Sequence, residues 1–459
     1  MNKFRIVIVA CIFSVCAASA QKRPFPQNVR YPYGYIPTTI PTSWVKSEYD
    51  RWVKSALTTC SSGSIYVTTD QGGKVEALGF GMWIFAFVGD KDWFDKMYDF
   101  YKTNINTGSA GGLMGWIGQC GGNSNGAATD GDVDVAFSLI VASWQWPDGD
   151  YLEKARAVIK NLKKVVVKCD GLNALAMGIN FGGCNMTDIS YYNPAAFREF
   201  AKVCGDTADS AMWVKLADDT YTILEAGADP TTGLVRDRQT VKGASAGSYT
   251  TYDYDACRTP WRITLDYLWN GNPRAGAWCR KLSDFGYKYG ISKINGGFNI
   301  NGTSSGGYHD MCFVGGFAIA AMANSQKMVD EFGTDLLKIK NTYWFTFALT
   351  PCYLITLSGN QWRYDIDSTT QKVATADRQE YEKSVRREYR GGEALAVSGL
   401  APHSAVWLTS LSGRRLVSIE AAGGRASIAA ESMRPGCYIL STTGPAGKTP
   451  QRRFITITK

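Results

Sequence analysis

The amino-acid sequence predicts a mainly helical protein, an α/α barrel, followed by a small β-sandwich. Two observations predict the helical part. About twelve segments carry apolar residues at helical spacing, and they arrive in pairs with one member more apolar than the other. The loops between them are long, polar and Gly-rich, as at 105–129 and 170–193, which is where a helical scaffold tends to carry function. A third observation predicts the β part: beyond residue 393 the pattern changes to short alternating runs separated by turn residues. No heptad is sustained, which argues against a coiled coil. A helical solenoid shares the paired pattern.

The chain has 459 residues, enough for one large domain and a smaller one. Residues 1–20 read as a signal peptide: Lys3 and Arg5 precede the apolar run 6–15, and AlaSerAla at 18–20 is a small-residue cleavage pattern. The expected mature protein starts at Gln21 and is secreted or held at a bacterial cell surface. Two of the 12 cysteines, Cys11 and Cys16, leave with that signal. The remaining even number fits an exported, disulfide-bearing chain, with Cys169 and Cys184 flanking a Gly-rich loop as a candidate pair. A zinc site is excluded by the lack of CxxC and of histidines other than His309 and His403, and neither metal nor cofactor is expected.

Residues 21–42 form a Pro- and Tyr-rich arm of the kind that wraps a domain. Helices are expected at 43–59 after a Ser cap, then at 76–89, 91–104, 130–145, 150–167, 194–204, 208–226, 258–269, 273–289, 311–323, 325–333, and as a pair at 335–341 and 343–358. The barrel domain is placed at 21–362, a charged linker at 363–392, and the β-sandwich at 393–459. The net charge is +8, and the last region, with eight basic against three acidic residues, supplies most of it. Clustered basic residues on a nucleic-acid-binding motif are lacking, so nucleic acid is not an expected partner. Aromatic residues are abundant, with 14 Trp and 24 Tyr, more than core packing alone asks for.

Three acidic stretches stand out. Glu76 in ValGluAlaLeuGlyPheGlyMet (75–82) begins an apolar helix. Apolar surroundings raise a carboxyl's pKa and suit it to donate a proton. A Glu favoured at a helix N-terminus is the structural alternative. Asp130, Asp132 and Asp134 open the next apolar helix within GlyAlaAlaThrAspGlyAspValAsp (126–134). Capping by Thr129 or Asp130 explains one or two of these aspartates and three less well. In TyrAspTyrAspAlaCysArgThrProTrpArg (252–262), Asp255 precedes Arg258 by three residues, and a neighbouring Arg keeps a carboxylate ionised. Two carboxyls in distinct environments are what acetal hydrolysis requires, one to protonate the leaving oxygen and one to activate water.

Together these stretches resemble glycoside hydrolase family 8. The pattern SerGluGlyXxxGlyTyrGlyMet is matched at 75–82, with Val75 in place of the usual Ser and Ala77 in place of the usual Gly. GlyLeuMetGlyTrp (112–116), AlaThrAspGlyAspValAspValAla (128–136), SerTyrTyrAsnPro (190–194) and AspAlaCysArgThrProTrpArg (255–262) follow in the family's order. The resemblance runs from about residue 24 to 362 and implies an (α/α)6 barrel with an open cleft, and inverting hydrolysis of β-1,4-linked glycans. It implies Glu76 as general acid, Asp255 as general base and Asp130 as the residue holding the distorted sugar. Trp116 is implied as a stacking platform, and Tyr191, Tyr254 and Arg258 as residues of the cleft centre. Where relatives place a further stacking Trp, this chain has Phe181.

Residues 393–459 resemble a C-terminal sorting domain of the type IX secretion system, through SerLeuSerGlyArgArgLeu (410–416) and MetArgProGlyCysTyrIleLeu (433–440). That resemblance implies the outer-membrane secretion machinery as a partner during export. The expectation for the whole is a secreted, monomeric endo-β-1,4-glucanase acting on β-1,4-glucan. A xylanase and a non-catalytic surface glycan-binding protein are the alternatives.

Overall fold

The computed structural model describes residues 23–365 except 123, 341 and 342, together with strand segments between 388 and 458. Twelve α-helices among the described residues alternate in character: α1 (Thr42–Ala56), α2 (Val75–Val88), α3 (Lys91–Thr103), α4 (Thr129–Gln145), α5 (Tyr151–Leu162), α6 (Pro194–Val203), α7 (Thr207–Gly227), α8 (Thr259–Asn270), α9 (Pro273–Tyr289), α10 (Met311–Ala321), α11 (Gln326–Leu336) and α12 (Trp344–Leu357). The even-numbered helices are almost entirely buried, whereas the odd-numbered ones bury one face and keep polar residues on the other.

That contrast decides the architecture. A helix apolar all round needs partners on every side, and an amphipathic one covers it from outside. The inner helices pack α2 on α4, α4 on α6, α6 on α8, α8 on α10, α10 on α12 and α12 on α2, so the ring closes. Outside them α1 lies on α12, α3 on α2, α5 on α4, α7 on α6, α9 on α8 and α11 on α10. This helix-rich arrangement is consistent with the expected (α/α)6 barrel, and a closed ring is not the open stack of a solenoid.

Two glycines set how closely the first inner helices approach. A Cβ on Gly131 would stand 2.4 Å from the Val75 carbonyl oxygen, and one on Gly79 would stand 2.9 Å from both the Asp134 Cβ and the Gly131 carbonyl oxygen. The two glycines therefore interlock α2 with α4 at their N-terminal turns, the turns that carry Glu76 and Asp130.

Several expected boundaries shift. α1 ends at Ala56 because Leu57–Thr59 pairs as a strand with Ile65–Val67, and Pro41 rather than a Ser occupies its N-cap. The helix expected to reach 167 stops at Leu162. The β-branched run that follows forms a strand, Val166–Cys169, paired with Leu172–Leu175 across an Asp170–Gly171 turn. The helix expected at 335–341 does not form separately over the described residues 335–340, since α11 runs through Gly333 to Leu336. A Cβ at Gly333 would stand 2.5 Å from Thr39 Oγ1, so this glycine admits the N-terminal arm against the helix and does not break it.

The arm wraps the domain as expected. Val29 N donates to the Gly359 carbonyl and Tyr35 N to the Met322 carbonyl, both at 2.7 Å. Cys169 pairs with Cys184, and a second disulfide joins Cys60 to Cys120. Complete pairing of the remaining cysteines is not found: Cys204, Cys257, Cys279, Cys312 and Cys352 are free thiols. Four of these are buried and pack as small apolar side chains.

The chain divides into two compact units after Asp367. In the second unit a five-stranded sheet has the order Glu388–Arg390, Gln451–Thr458, Gly436–Thr442, Ala405–Ser410, Arg415–Glu420. Ala394–Ser398 and Arg425–Ala429 form a separate antiparallel pair. The strands fall on the alternating runs, and one of them, Glu388–Arg390, lies inside the stretch expected to be linker. The expected signal at 1–20 and the stretch 366–387 lie outside the described residues. No helix among the described residues is long and apolar enough to cross a membrane.

The Gly131→Ala variant should lose about 1–3 kcal/mol of stability, because the added methyl meets backbone and not a flexible side chain. Urea denaturation checks this, and an unchanged midpoint contradicts the interlock.

Candidate active site

The N-terminal ends of the inner helices converge on one buried cation. Arg258 closes a 3-10 turn, Ala256–Arg258, that leads directly into α8. Its side chain is only 1% exposed, and an isolated buried guanidinium costs several kcal/mol. The structure compensates with carboxylates from four segments. Arg258 Nη1 donates to Glu76 Oε1 on α2 and, at 2.6 Å, to Asp130 Oδ2 on α4. Arg258 Nη2 donates to Asp255 Oδ1 at 3.1 Å and lies 3.9 Å from Asp188 Oδ2. The rings of Tyr191 and Phe345 flank the guanidinium at 5.6 and 5.9 Å.

One cation faces four carboxyls, in a site with little water to solvate them. Burial pushes the Glu76 carboxyl up to about 7; Arg258 opposes this, and the charges of Asp130 and Asp255 add to it. Burial also raises Asp130, against the pull of Arg258. Asp188 is raised well above the ordinary carboxylate range, by burial first and by Asp255 second. A carboxyl that keeps its proton near neutrality, beside others tied to a fixed cation, has the makings of an acid–base pair.

The other two aspartates of the helix-opening cluster brace the site and do not cap it. No side chain caps α4: Thr129 Oγ1 donates instead to the Ala176 carbonyl at 2.7 Å. Asp132 accepts from Tyr101 Oη at 2.7 Å and from Met114 N at 3.2 Å. That contact fixes the GlyLeuMetGlyTrp segment against α4. Asp134 makes a two-pronged pair with Arg262, both side chains 1% exposed, and Arg262 lies 4.3 Å from the centre of the Trp261 ring.

Glu76, Asp130, Asp255, Arg258 and Tyr191 thus come together. Trp116 and Tyr254 are exposed residues, at 47% and 37%. The Trp116 carbonyl accepts from Val75 N at 3.0 Å, which ties this tryptophan to the residue preceding Glu76. The Tyr254 ring meets Phe313 and Phe345 edge-on. Phe181 is also exposed, at 43%.

Sequence reasoning missed Asp188, Asp237, Arg238 and the partner of Asp134. Asp188 accepts from Ser190 N and Oγ at 2.8 and 2.7 Å, capping the turn that carries Tyr191, and its Asp-x-Ser spacing is a local signal. Asp237 Oδ1 accepts from Asp253 N and Ala256 N, both at 2.8 Å, and so grips the chain on both sides of Asp255. Burial, aided by Asp255, pushes Asp237 up to about 7. No local pattern marks Asp237 or Arg238, whose partners lie in another loop.

The Asp134→Ala variant should lose about 3–5 kcal/mol, because Arg262 is left buried without its counter-charge. Asp134→Leu combined with Arg262→Met should recover most of that loss. Chemical denaturation of both variants checks the pair, and equal stability of single and double variants contradicts it.

A family model described as Glycosyl hydrolases family 8 matches residues 38–350. The chain is 31% identical over 387 residues to Endoglucanase C of Ruminiclostridium cellulolyticum, covering 78% of this chain and 79% of that one. It is 32% identical over 392 residues to Endoglucanase 2 of Ruminiclostridium josui, covering 78% and 83% respectively. Among solved structures, the apo beta-1,3-1,4-glucanase from Paenibacillus sp. X4 superposes with a TM-score of 0.67 at 27% identity, covering 75% of this chain and all of that one. The ring of paired helices, the carboxyl cluster at its N-terminal end and these matches agree: this chain is a glycoside hydrolase and belongs to glycosyl hydrolases family 8.

Proposed function

We propose that this protein is an endo-β-1,4-glucanase that hydrolyses its substrate with inversion, using Glu76 as general acid and Asp255 as general base. The observation that carries this reading is the shared guanidinium. Glu76 and Asp255 accept from different nitrogens of Arg258, so one cation orders both carboxyls. An inverting pair needs a gap of roughly 6.5–9.5 Å to admit water. The two environments also differ. Glu76 is raised to about 7 by burial, while Asp255 is 30% exposed and has two arginines beside it.

In the proposed step Glu76 gives its proton to the glycosidic oxygen as the bond from that oxygen to the anomeric carbon breaks. A water attacks the anomeric carbon from the opposite face, and Asp255 takes the proton this water loses. The product therefore carries the opposite anomeric configuration. Solvent then restores the proton to Glu76 and removes the one on Asp255. Asp130 Oδ1 is buried and has no partner among the described residues, so it is available to accept from a hydroxyl of the distorted sugar. Trp116 offers a stacking face, and Tyr191 and Tyr254 line the centre. The names of the two endoglucanase relatives favour a β-glucan over xylan as the polymer.

We further propose that residues 1–20 direct export and that residues 393–459 serve as a sorting module read by an outer-membrane secretion system. The separation of the chain into two compact units after Asp367 supports a module distinct from the hydrolase. A chain ending at residue 392 should fail to reach the culture medium while keeping its activity in cell lysates.

Glu76→Gln should lower kcat by about 10²–10⁴-fold on carboxymethyl-cellulose and mixed-linkage β-glucan. In the unsubstituted protein kcat/KM should fall as the pH rises through about 7, because Glu76 acts only while protonated. Reducing-sugar assays on these polymers, xylan and chitosan, with the first-formed anomer read by NMR, check the reading. A Glu76→Gln protein that degrades glucan like wild type overturns it, and faster release from xylan moves the specificity to the xylanase alternative.

A further inference from the structure

The base proposed above has a second cation that no motif points to. Arg238 Nη2 lies 3.7 Å from Asp255 Oδ2, while Arg258 holds Oδ1. Arg238 is not a loose surface arginine. The segment that carries it is fixed on both sides: Asp237 N donates to the Thr251 carbonyl at 2.9 Å, and Gln239 exchanges backbone hydrogen bonds with Thr187 at 2.7 and 2.9 Å. The side chain is 22% exposed, and its Nη1 donates to Tyr249 Oη at 2.7 Å. The guanidinium lies 4.3 Å from the centre of the Tyr249 ring and 5.9 Å from that of the exposed Phe181 ring.

We propose that Arg238 is a positioning residue for the hydrolytic reaction, placing its charge beside the second oxygen of Asp255 and carrying the Phe181 ring on the same guanidinium. This rests on the reading of Asp255 as the base. Asp255 is faced by Glu76 from α2, by Asp188 from the turn before α6, by Asp237 from the segment that grips its loop, and by its neighbour Asp253. Against these four carboxyls stand Arg258 and Arg238. Removing Arg238 takes away one of the two guanidinium groups beside Asp255 and leaves the Phe181 platform without its cationic support. A planar, always-charged guanidinium serves both ends at once, which an ammonium does not.

The test compares wild type with Arg238→Met and Arg238→Lys on a soluble β-glucan oligosaccharide, reading pH profiles of kcat and kcat/KM together with thermal unfolding. In Arg238→Met the acid limb of kcat/KM should move up by about one pH unit or more. Arg238→Lys should return the acid limb toward wild type while KM stays raised, since the charge is kept and the planar face is lost. An acid limb in Arg238→Met that superimposes on wild type overturns the proposal, whatever happens to the unfolding temperature. Arg238→Gln takes the place of the Met variant if the latter does not fold. Asp255→Asn separates the two readings: an active Asp255→Asn overturns the base assignment itself, whereas an inactive one with an unshifted Arg238→Met profile overturns only the role of Arg238.

Discussion

The carboxyl cluster is organised around one buried guanidinium, that of Arg258. Arg258 lies at the entrance to α8 and is bonded to carboxylates at the first turns of α2 and α4 and at the turn before α8 itself. A cation in such a place is tolerated only when its counter-charges are built in. The dependence runs both ways. The carboxyls are too close-set to share the interior without a cation between them, so the hub makes it possible to gather several acidic groups where a sugar chain is to be cut.

Backbone packing sets the distances that this arrangement needs. Gly79 and Gly131 bring α2 and α4 into contact at the turns where Glu76 and Asp130 sit. Asp134 with Arg262 and Asp132 with Tyr101 and Met114 then lock α4 to α8 and to the segment leading to Trp116. These are polar contacts in an apolar interior, worth little as net stability yet demanding in geometry. They fix which turn of α4 faces Arg258, and with it the position of Asp130. The chemistry follows from the same packing: the burial that closes the ring also raises Glu76 to about 7.

Much of this was legible in the sequence because it is local. Helical spacing identified the inner and outer helices, since full burial demands apolar residues on every face, as in α2 and α10. Glu76, Asp130, Asp255 and Arg258 each lie in a short stretch whose composition sets them apart from their surroundings. What escaped was long-range. Asp134 finds Arg262 across 128 residues, and Arg238 reaches Asp255 from a separate loop with no pattern of its own. The helix expected to end at 333 continues to Leu336, because Gly333 admits the arm packed against it, far away in the chain. The helix expected to run to 167 gives way at Val166 and Val167, where β-branching and the Asp–Gly pair after them favour the hairpin that forms.

The account stands on Glu76 being protonated near neutrality beside a cation that partly holds it down. Side-chain carboxyl titration of Glu76 by NMR, in wild type and in Arg258→Met, measures that directly. The expected midpoint is about 7 in wild type and higher in the variant, because Arg258 opposes the effect of burial. A wild-type midpoint in the ordinary glutamate range near ~4.3, or one that does not move when Arg258 is removed, contradicts it.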